Sequence, residues 1–182
     1  MLLCVPRGRR DVNLGAMKRF VLIALLLTAW VAPAAAHDVK KIPKADLVKR
    51  DGLFYEKFSN TPFTGKTTTG AFRAAYKNGR LHGVFEHYYR SGQLWKIELY
   101  KDGVQHGEQR IYHENGQLAE AATYKSNQLT GPYSRWWPNG QLRSKGTLED
   151  GTREGRWVDF NEDGTPDPKK TGTYQMDVRI GP

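Results

Sequence analysis

Near the end of the chain, oxygen-bearing side chains recur with a spacing that suits a calcium ion. These side chains are Asp159, Asn161, Asp163 and Asp167. Hard oxygen ligands at alternate positions around a sharp glycine turn are what Ca²⁺ requires. However, position 12 of such a loop is Lys170, where a bidentate Glu belongs, and Asn161 to Gly164 also has the composition of a hairpin turn. The sequence therefore favours a solvated turn over a metal site, and we expect no cofactor.

Exposed aromatic residues are the second group that could form a functional site. The candidates are Tyr89, Trp95 and Trp137. Trp and Tyr are common interface anchors, so these side chains predict a rigid contact surface, whereas the alternative is that they pack along a sheet. Of the adjacent Trp136 and Trp137, we expect Trp137 to face outward. Aromatics interleaved with Lys and Arg also suit a glycan or single-stranded nucleic acid.

Motifs of the common catalytic sites do not occur in the sequence. There is no Gly-x-Ser-x-Gly elbow, no Ser-x-x-Lys, no His-Glu-x-x-His and no phosphate-binding loop. The acidic residues are spaced too regularly to single out a catalytic pair. We therefore expect a protein that is not an enzyme.

A repeat of 24 residues organises the chain, with copies that start at Tyr76, Tyr100, Tyr124 and Leu148. Each copy has glycine at three positions, and 11 of these 12 positions are Gly. The exception is Asn127, and Asn is the residue that best tolerates the same positive backbone angles. The glycines of the two turns in each copy are Gly79, Gly92, Gly103, Gly116, Gly140, Gly151 and Gly164.

The turns divide each repeat into two segments of strand length. Asp102-Gly103 and Asn115-Gly116 are typical of two-residue hairpin turns, and the residues between turns alternate with a period of two. Aromatic and leucine columns, including position 10 (Phe85 to Trp157) and position 13 (Tyr88 to Phe160), predict ladders along one side of the sheet. We predict an all-β fold: a single twisted antiparallel meander sheet of tandem 24-residue hairpins.

The first 36 residues have the pattern of a targeting segment. Lys18 and Arg19 precede an apolar run, and Ala34 to Ala36 form a small-residue cleavage site. We predict a signal peptide over 17–36, cleaved after Ala36, and a periplasmic or secreted protein. Residues 1–16 fit an upstream mis-start before Met17, and they contain the one cysteine, Cys4.

The remaining chain divides by composition. We predict a flexible leader over 37–51 with a helical turn around 45–49, a degenerate first repeat over 52–75, four repeats over 76–165, and a C-terminal capping segment over 166–182 that ends in one strand. The whole chain has 28 basic and 19 acidic side chains, and without residues 1–36 the formal net charge falls from +9 to +5. This charge is spread through the repeats, so we expect no nucleic-acid partner.

The repeat resembles the bacterial variant of the MORN repeat. The segments that carry the resemblance are Tyr76-Lys77-Asn78-Gly79, Gly83-Val84-Phe85 and Tyr112-His113-Glu114-Asn115-Gly116-Gln117-Leu118. The resemblance implies an interaction scaffold, with lipid-headgroup binding in some members and a grouping with the YwqK-type antitoxin family. A secretion signal departs from a cytoplasmic antitoxin, and would require a toxin that acts in the envelope.

Together these patterns predict a periplasmic or secreted binding module for a protein partner. Two alternatives stay open: an antitoxin or immunity-like protein that neutralises a toxin, and a peripheral binder of anionic lipid or cell-wall glycan. Open β-sheets also pair through their edges, so edge-to-edge self-association is a further expectation.

Overall fold

The fold is seen in a computed structural model that describes residues 39–182. The strands are β1 Lys41–Ile42, β2 Leu47–Arg50, β3 Leu53–Glu56, β4 Gly65–Thr67, β5 Phe72–Lys77, β6 Arg80–Tyr88, β7 Leu94–Lys101, β8 Val104–Gln105, β9 Gly107–Tyr112, β10 Leu118–Lys125, β11 Gln128–Leu129, β12 Gly131–Trp136, β13 Leu142–Glu149, β14 Thr152–Asp159, β15 Gly172–Gln175 and β16 Val178–Gly181. A 3₁₀ helix, Lys44–Asp46, lies between β1 and β2. Across residues 39–182 no helix has both the length and the apolar character needed to cross a membrane. The predicted mis-start 1–16 and signal peptide 17–36 lie outside the described residues.

Fourteen strands form one sheet, and consecutive strands are neighbours along almost all of it. The order is β1-β4-β5-β6-β7-β9-β10-β12-β13-β14-β15-β16, with β8 paired to β7 and β11 paired to β10. The pairs are antiparallel except β1 with β4, which is parallel. The predicted all-β meander is therefore confirmed. Two details differ from a single antiparallel sheet: the parallel pair at one edge, and a separate two-stranded sheet of β2 and β3.

The first turn of each repeat is the expected two-residue hairpin turn. At Asp102-Gly103 the φ angles are 52° and 88°, and Asn127 has a φ of 66° in the same role. Positive φ at both central residues gives a turn whose twist matches that of the flanking strands. Each turn also joins the preceding repeat, since Gly103 N–H donates to Leu81 O at 2.8 Å.

The second turn of each repeat is longer than the predicted two residues. Gly116 has a φ of 85°, but Asn115 does not have a positive φ. Gly116 N–H donates to His113 O and His113 N–H donates to Gln117 O, both at 2.8 Å. Three residues therefore form this loop, which is a turn followed by a glycine in the left-handed region. Such a loop needs a positive φ at the glycine alone. All seven turn glycines named above have positive φ.

Two apolar clusters lie towards opposite ends of the sheet. The first contains the buried residues Ile42, Phe63, Ala74 and Tyr76, and the second contains Leu148, Trp157 and Tyr174. The leading column and the position 10 column thus supply buried residues. Position 13, predicted as a core column on the same side, is only half-buried from Tyr88 to Phe160. Residues three apart on a strand point to opposite faces, which is why positions 10 and 13 do not share a core.

The segment predicted as a flexible leader instead contains β1, the 3₁₀ helix and β2 in its described part, residues 39–51. The predicted helical turn around 45–49 is a 3₁₀ helix that gives way to a strand at Leu47. Ile42 is 6% exposed in the first cluster, and its burial contributes to ordering the segment together with the pairing of β1 with β4 and of β2 with β3.

The C-terminal segment forms a hairpin rather than the single predicted strand. Met176 and Asp177 have φ angles of 47° and 64°, so the chain reverses there and β16 becomes the last strand of the sheet. Val178 and Ile180 on β16 are exposed. Edge-to-edge self-association of the sheet stays a prediction.

Candidate binding surface

A strip of five aromatic rings crosses β5, β6 and β7. Its members, called the aromatic strip below, are Phe72, Phe85, His87, Tyr89 and Trp95. Phe72 and His87 are cross-strand partners with ring centroids 4.9 Å apart, and Phe85 lies 4.4 Å from His87. Trp95 lies 5.7 Å from His87 and 6.2 Å from Tyr89. The strip is thus one continuous aromatic surface.

A β-bulge aims Trp95 towards the strip. The register passes from His87 opposite Lys96 to Tyr88 opposite Leu94, which leaves Trp95 as the extra residue. An extra residue bends the strand and re-aims its side chain. As a result Trp95 lies beside His87 rather than on the opposite face of the sheet.

The strip has both exposed and fixed members. Trp95 and Phe72 are each 38% exposed, and each has two aromatic neighbours. Tyr89 is half-buried, and its hydroxyl donates to Tyr112 O at 2.8 Å. The strip therefore offers two exposed rings held by fixed neighbours, and a rigid surface loses little side-chain entropy when it binds.

Beneath the exposed rings lies a buried charged group, Glu98, which is 5% exposed. One of its oxygens is 2.8 Å from His87 Nε2, and the other is 3.0 Å from Lys96 Nζ. Burial lowers the pKa of His87, while the hydrogen bond to Glu98 opposes that shift. The neutral ring donates from Nε2, and its buried Nδ1 has no partner among the described residues.

This His–Glu pair lacks the rest of a catalytic constellation. Within residues 39–182 the ring of His87 hydrogen-bonds only to Glu98, and no hydroxyl or thiol contacts it as a nucleophile would. The pair instead holds His87 and Lys96 in place beside Trp95.

Cations frame the aromatic strip. Lys44 Nζ lies 4.8 Å from the centroid of Phe72, and Lys96 Nζ lies 5.5 Å from that of Trp95. These cation–π contacts orient both lysines at the rim of the strip. Lys96 is also paired with Glu98, so Lys44 is the cation beside the strip that has no carboxylate partner within residues 39–182.

Comparison with known families gives a match over the central part of the sheet. Residues 81–102, 105–126 and 129–150 each match the MORN repeat variant family. The chain carries MORN-variant repeats. Each segment begins in the copy that starts at Tyr76, Tyr100 or Tyr124 and ends at the first turn of the next copy, and the three matches confirm the resemblance at the level of the repeat. No curated protein matches the chain.

Trp137 is in a different place from the other two predicted contact residues. It follows β12 in the third MORN repeat, two repeats from Tyr89, which corresponds to roughly 19 Å at the usual strand spacing. Its indole Nε1–H donates to Phe160 O at 3.2 Å, and Arg143 stacks on its ring at 4.4 Å. The structure brings Tyr89 and Trp95 together, whereas Trp137 is half-buried and bonded internally.

Tyr89 and Trp137 nevertheless share a structural role with His113. Each occupies the same position of a MORN repeat, and each side chain bonds to a backbone carbonyl 23 residues later. The distances from Tyr89, His113 and Trp137 to these carbonyls are 2.8, 3.1 and 3.2 Å. This column ties each repeat to the next one.

The candidate calcium ligands are bonded to groups of the protein itself. Asp159 is 5% exposed and lies 3.3 Å from Arg153, and burial raises its pKa. Asp163 accepts hydrogen bonds from the hydroxyl and amide of Thr165, which lower its pKa. Asp167 lies 2.9 Å from Lys170 Nζ, and this hydrogen bond lowers its pKa. Asn161 donates to the Thr165 hydroxyl at 3.0 Å.

These bonds arrange the segment as the second turn of the last repeat. Asn161 N–H donates to Thr165 O and Gly164 N–H donates to Asn161 O, as in the equivalent turns of the other repeats. Among residues 39–182 no group of three metal-ligating side chains could hold an ion.

Sequence reasoning missed Phe72, Phe85 and His87 as members of the surface. Phe72 lies in the degenerate first repeat and so belongs to no repeat column. The alternation of β6 was a usable signal, because it places Phe85 and His87 on one face. The bulge that adds Trp95 to that face depends on the pairing with β6 and could not be read from β7 alone.

Proposed function

We propose that this chain is a non-enzymatic MORN-repeat module that binds a protein partner through the aromatic strip, in the periplasm or outside the cell. The observation that carries the proposal is the exposure of Trp95 and Phe72, each 38%, beside fixed aromatic neighbours. Trp and Tyr are enriched among the residues that dominate binding energy at interfaces. The predicted signal peptide supports the compartment.

The charges beside the strip indicate the chemistry of the partner. Lys44 lies over Phe72 without a carboxylate partner in residues 39–182, whereas Lys96, beside Trp95, is paired with Glu98. A partner surface with apolar side chains at its centre and a carboxylate that meets Lys44 would complement this arrangement, and such complementarity favours fast and selective association. If the chain is an antitoxin, its partner would be a toxin that acts in the envelope.

The test combines affinity capture from an envelope extract with a titration of the partner recovered. The full chain is compared with Trp95→Ala and Phe72→Ala, and with Val178→Ala as a matched control. Val178 is 64% exposed on the last strand of the sheet, so the control also removes exposed apolar surface. An interface anchor contributes 2 kcal/mol or more, so we expect Kd to rise about 30-fold for Trp95→Ala and to stay unchanged for Val178→Ala.

Equal loss in all three variants would contradict the assignment of the strip. Recovery of no protein would contradict protein binding, and association with anionic vesicles or cell-wall glycan would then take its place. Loss of the partner's toxic activity in the complex would establish the antitoxin role.

A further inference from the structure

A groove lies on the face of the sheet opposite to the aromatic strip, at its N-terminal end. Its volume is about 630 Å³, and residues of β1, β4, β5 and β6 line it. Arg73 and Glu86 point into it from the same strands as Phe72 and His87, and neighbouring residues of a strand point to opposite faces. The groove is within the size range of small-molecule sites, and it is separate from the proposed protein-binding surface.

Three cations line this groove: Lys41, Lys66 and Arg73. Lys41 and Lys66 are direct partners in the parallel pair of β1 and β4, so their side chains leave the sheet on the same face. Within residues 39–182 the lysines that form ion pairs are Lys40, Lys96 and Lys170, which leaves Lys41 and Lys66 without a carboxylate. Like charges this close repel each other, and a bound anion would remove that repulsion.

The third cation is already oriented. The guanidinium of Arg73 stacks on the ring of Tyr88 at 4.4 Å, and its Nη1 donates to the Tyr88 hydroxyl at 3.2 Å. That hydroxyl in turn donates to Glu86, the carboxylate of the groove, at 2.9 Å. Glu86 therefore has a hydrogen-bond partner of its own, and the remaining N–H groups of Arg73 are available to a ligand.

The wall of the groove between these charges is apolar. Ala75 and Val84 contribute to it, and Val84 is 42% exposed. An exposed valine beside three cations suits a ligand that has an anionic head and an apolar body. A dianionic head matches several cations better than a single carboxylate does, because phosphate carries a charge of about −1.5 to −2 at neutral pH.

From this arrangement we infer a binding site for an organic phosphomonoester, with the phosphate held by Lys41, Lys66 and Arg73 and the organic group against Val84. Charge-assisted hydrogen bonds from Lys and Arg to phosphate oxygens supply the affinity. The site goes beyond the proposed protein-binding function and does not depend on it.

The experiment titrates the full chain with phenyl phosphate and with inorganic phosphate by calorimetry. A third arm measures co-sedimentation with phosphatidylcholine vesicles that contain phosphatidic acid, which presents the same phosphomonoester on a lipid. The groove variant is Lys41→Gln/Lys66→Gln. The matched control is Lys101→Gln/Lys125→Gln, which removes the same charge from two exposed turn lysines of other repeats.

We expect phenyl phosphate to bind more tightly than inorganic phosphate. We also expect the Kd for phenyl phosphate to rise at least tenfold in the groove variant and to change less than twofold in the control. Binding to vesicles alone, lost in the groove variant and kept in the control, would support the same site with a lipid as the source. No binding of any probe, or equal weakening in both double variants, would overturn the inference. Equal affinity for phenyl phosphate and inorganic phosphate would overturn the role of the apolar wall.

Discussion

Replacing Gly146 by alanine tests how the second apolar cluster is built. The ring of Trp157, which is 1% exposed, lies directly over Gly146. A Cβ atom at Gly146 would come within 2.3 Å of ring atoms Cδ2 and Cε2, whereas ordinary contacts begin near 3.4 Å. Because φ at Gly146 is not positive, backbone strain does not complicate the substitution. Either the ring or strand β13 must therefore move by about 1 Å.

Contacts of Trp157 limit that movement. Its indole N–H donates to Thr147 O at 3.1 Å, Arg153 lies 4.4 Å from the ring, and Tyr133 packs at a centroid distance of 5.9 Å. Overpacking a core costs about 1–3 kcal/mol, and weakening this hydrogen bond costs about 1 kcal/mol more. Replacing Gly reduces the entropy of the unfolded chain and returns about 0.4–1 kcal/mol. We expect a net loss of about 2 kcal/mol, or about 4–8 °C in Tm.

The assay is urea unfolding followed by circular dichroism, as a double-mutant cycle with Trp157→Leu. In the Trp157→Leu background the added methyl group meets a smaller side chain, so Gly146→Ala should change the free energy of unfolding by less than about 0.5 kcal/mol. A loss of the same size in both backgrounds would refute the reasoning, as would wild-type stability of the single variant.

Three further predictions follow from contacts within the sheet. Trp137→Phe keeps an aromatic ring, although a smaller one, and removes the donor to Phe160 O at 3.2 Å. We expect the free energy of unfolding in urea to fall by about 1 kcal/mol, and no change would show that this column does not stabilise the repeats. Burial lowers the pKa of His87, so the unfolded state binds a proton more readily than the folded state does. The folded state is therefore fully stable above the unfolded pKa of about 6.5, and it loses stability as the pH falls below that value. The urea midpoint should therefore drop from pH 7.5 to 5.5 by less in His87→Gln than in wild type, and an identical drop would contradict the assignment. Gly103 has a φ of 88°, so Gly103→Ala should cost about 1–2 kcal/mol and Gly103→Asn less, since Asn tolerates this region; equal losses would argue against backbone strain.

The features that could be predicted from the sequence depend on the chemistry of a few neighbouring residues. Asp102-Gly103 and its equivalents specify two-residue turns because only a few residue types adopt positive φ without cost, and the 24-residue spacing then repeats the hairpin. The second turn was predicted too short, because Asn115-Gly116 is compatible with both a two-residue and a three-residue loop. The choice depends on the register between β9 and β10, where a shift occurs beside Leu118.

The candidate surface was predicted only in part, because it depends on which strands pair and where. Trp95 and Tyr89 were singled out from residue type alone, and the structure places them together. Trp137 was grouped with them on the same grounds, but it follows β12, two repeats away from Tyr89. Residue type does not reveal which of these side chains the fold brings together.

By itself, the sequence determined the all-β class, the repeat period and the first turns, since these follow from alternation and glycine chemistry within a few neighbouring residues. Only the tertiary structure decided that 39–51 is ordered, that Trp95 joins His87 across a bulge, and that Lys41 and Lys66 lie side by side. Each of these depends on contacts between distant segments. A strand pattern constrains the faces of its own residues, whereas the register with its neighbour decides which side chains meet.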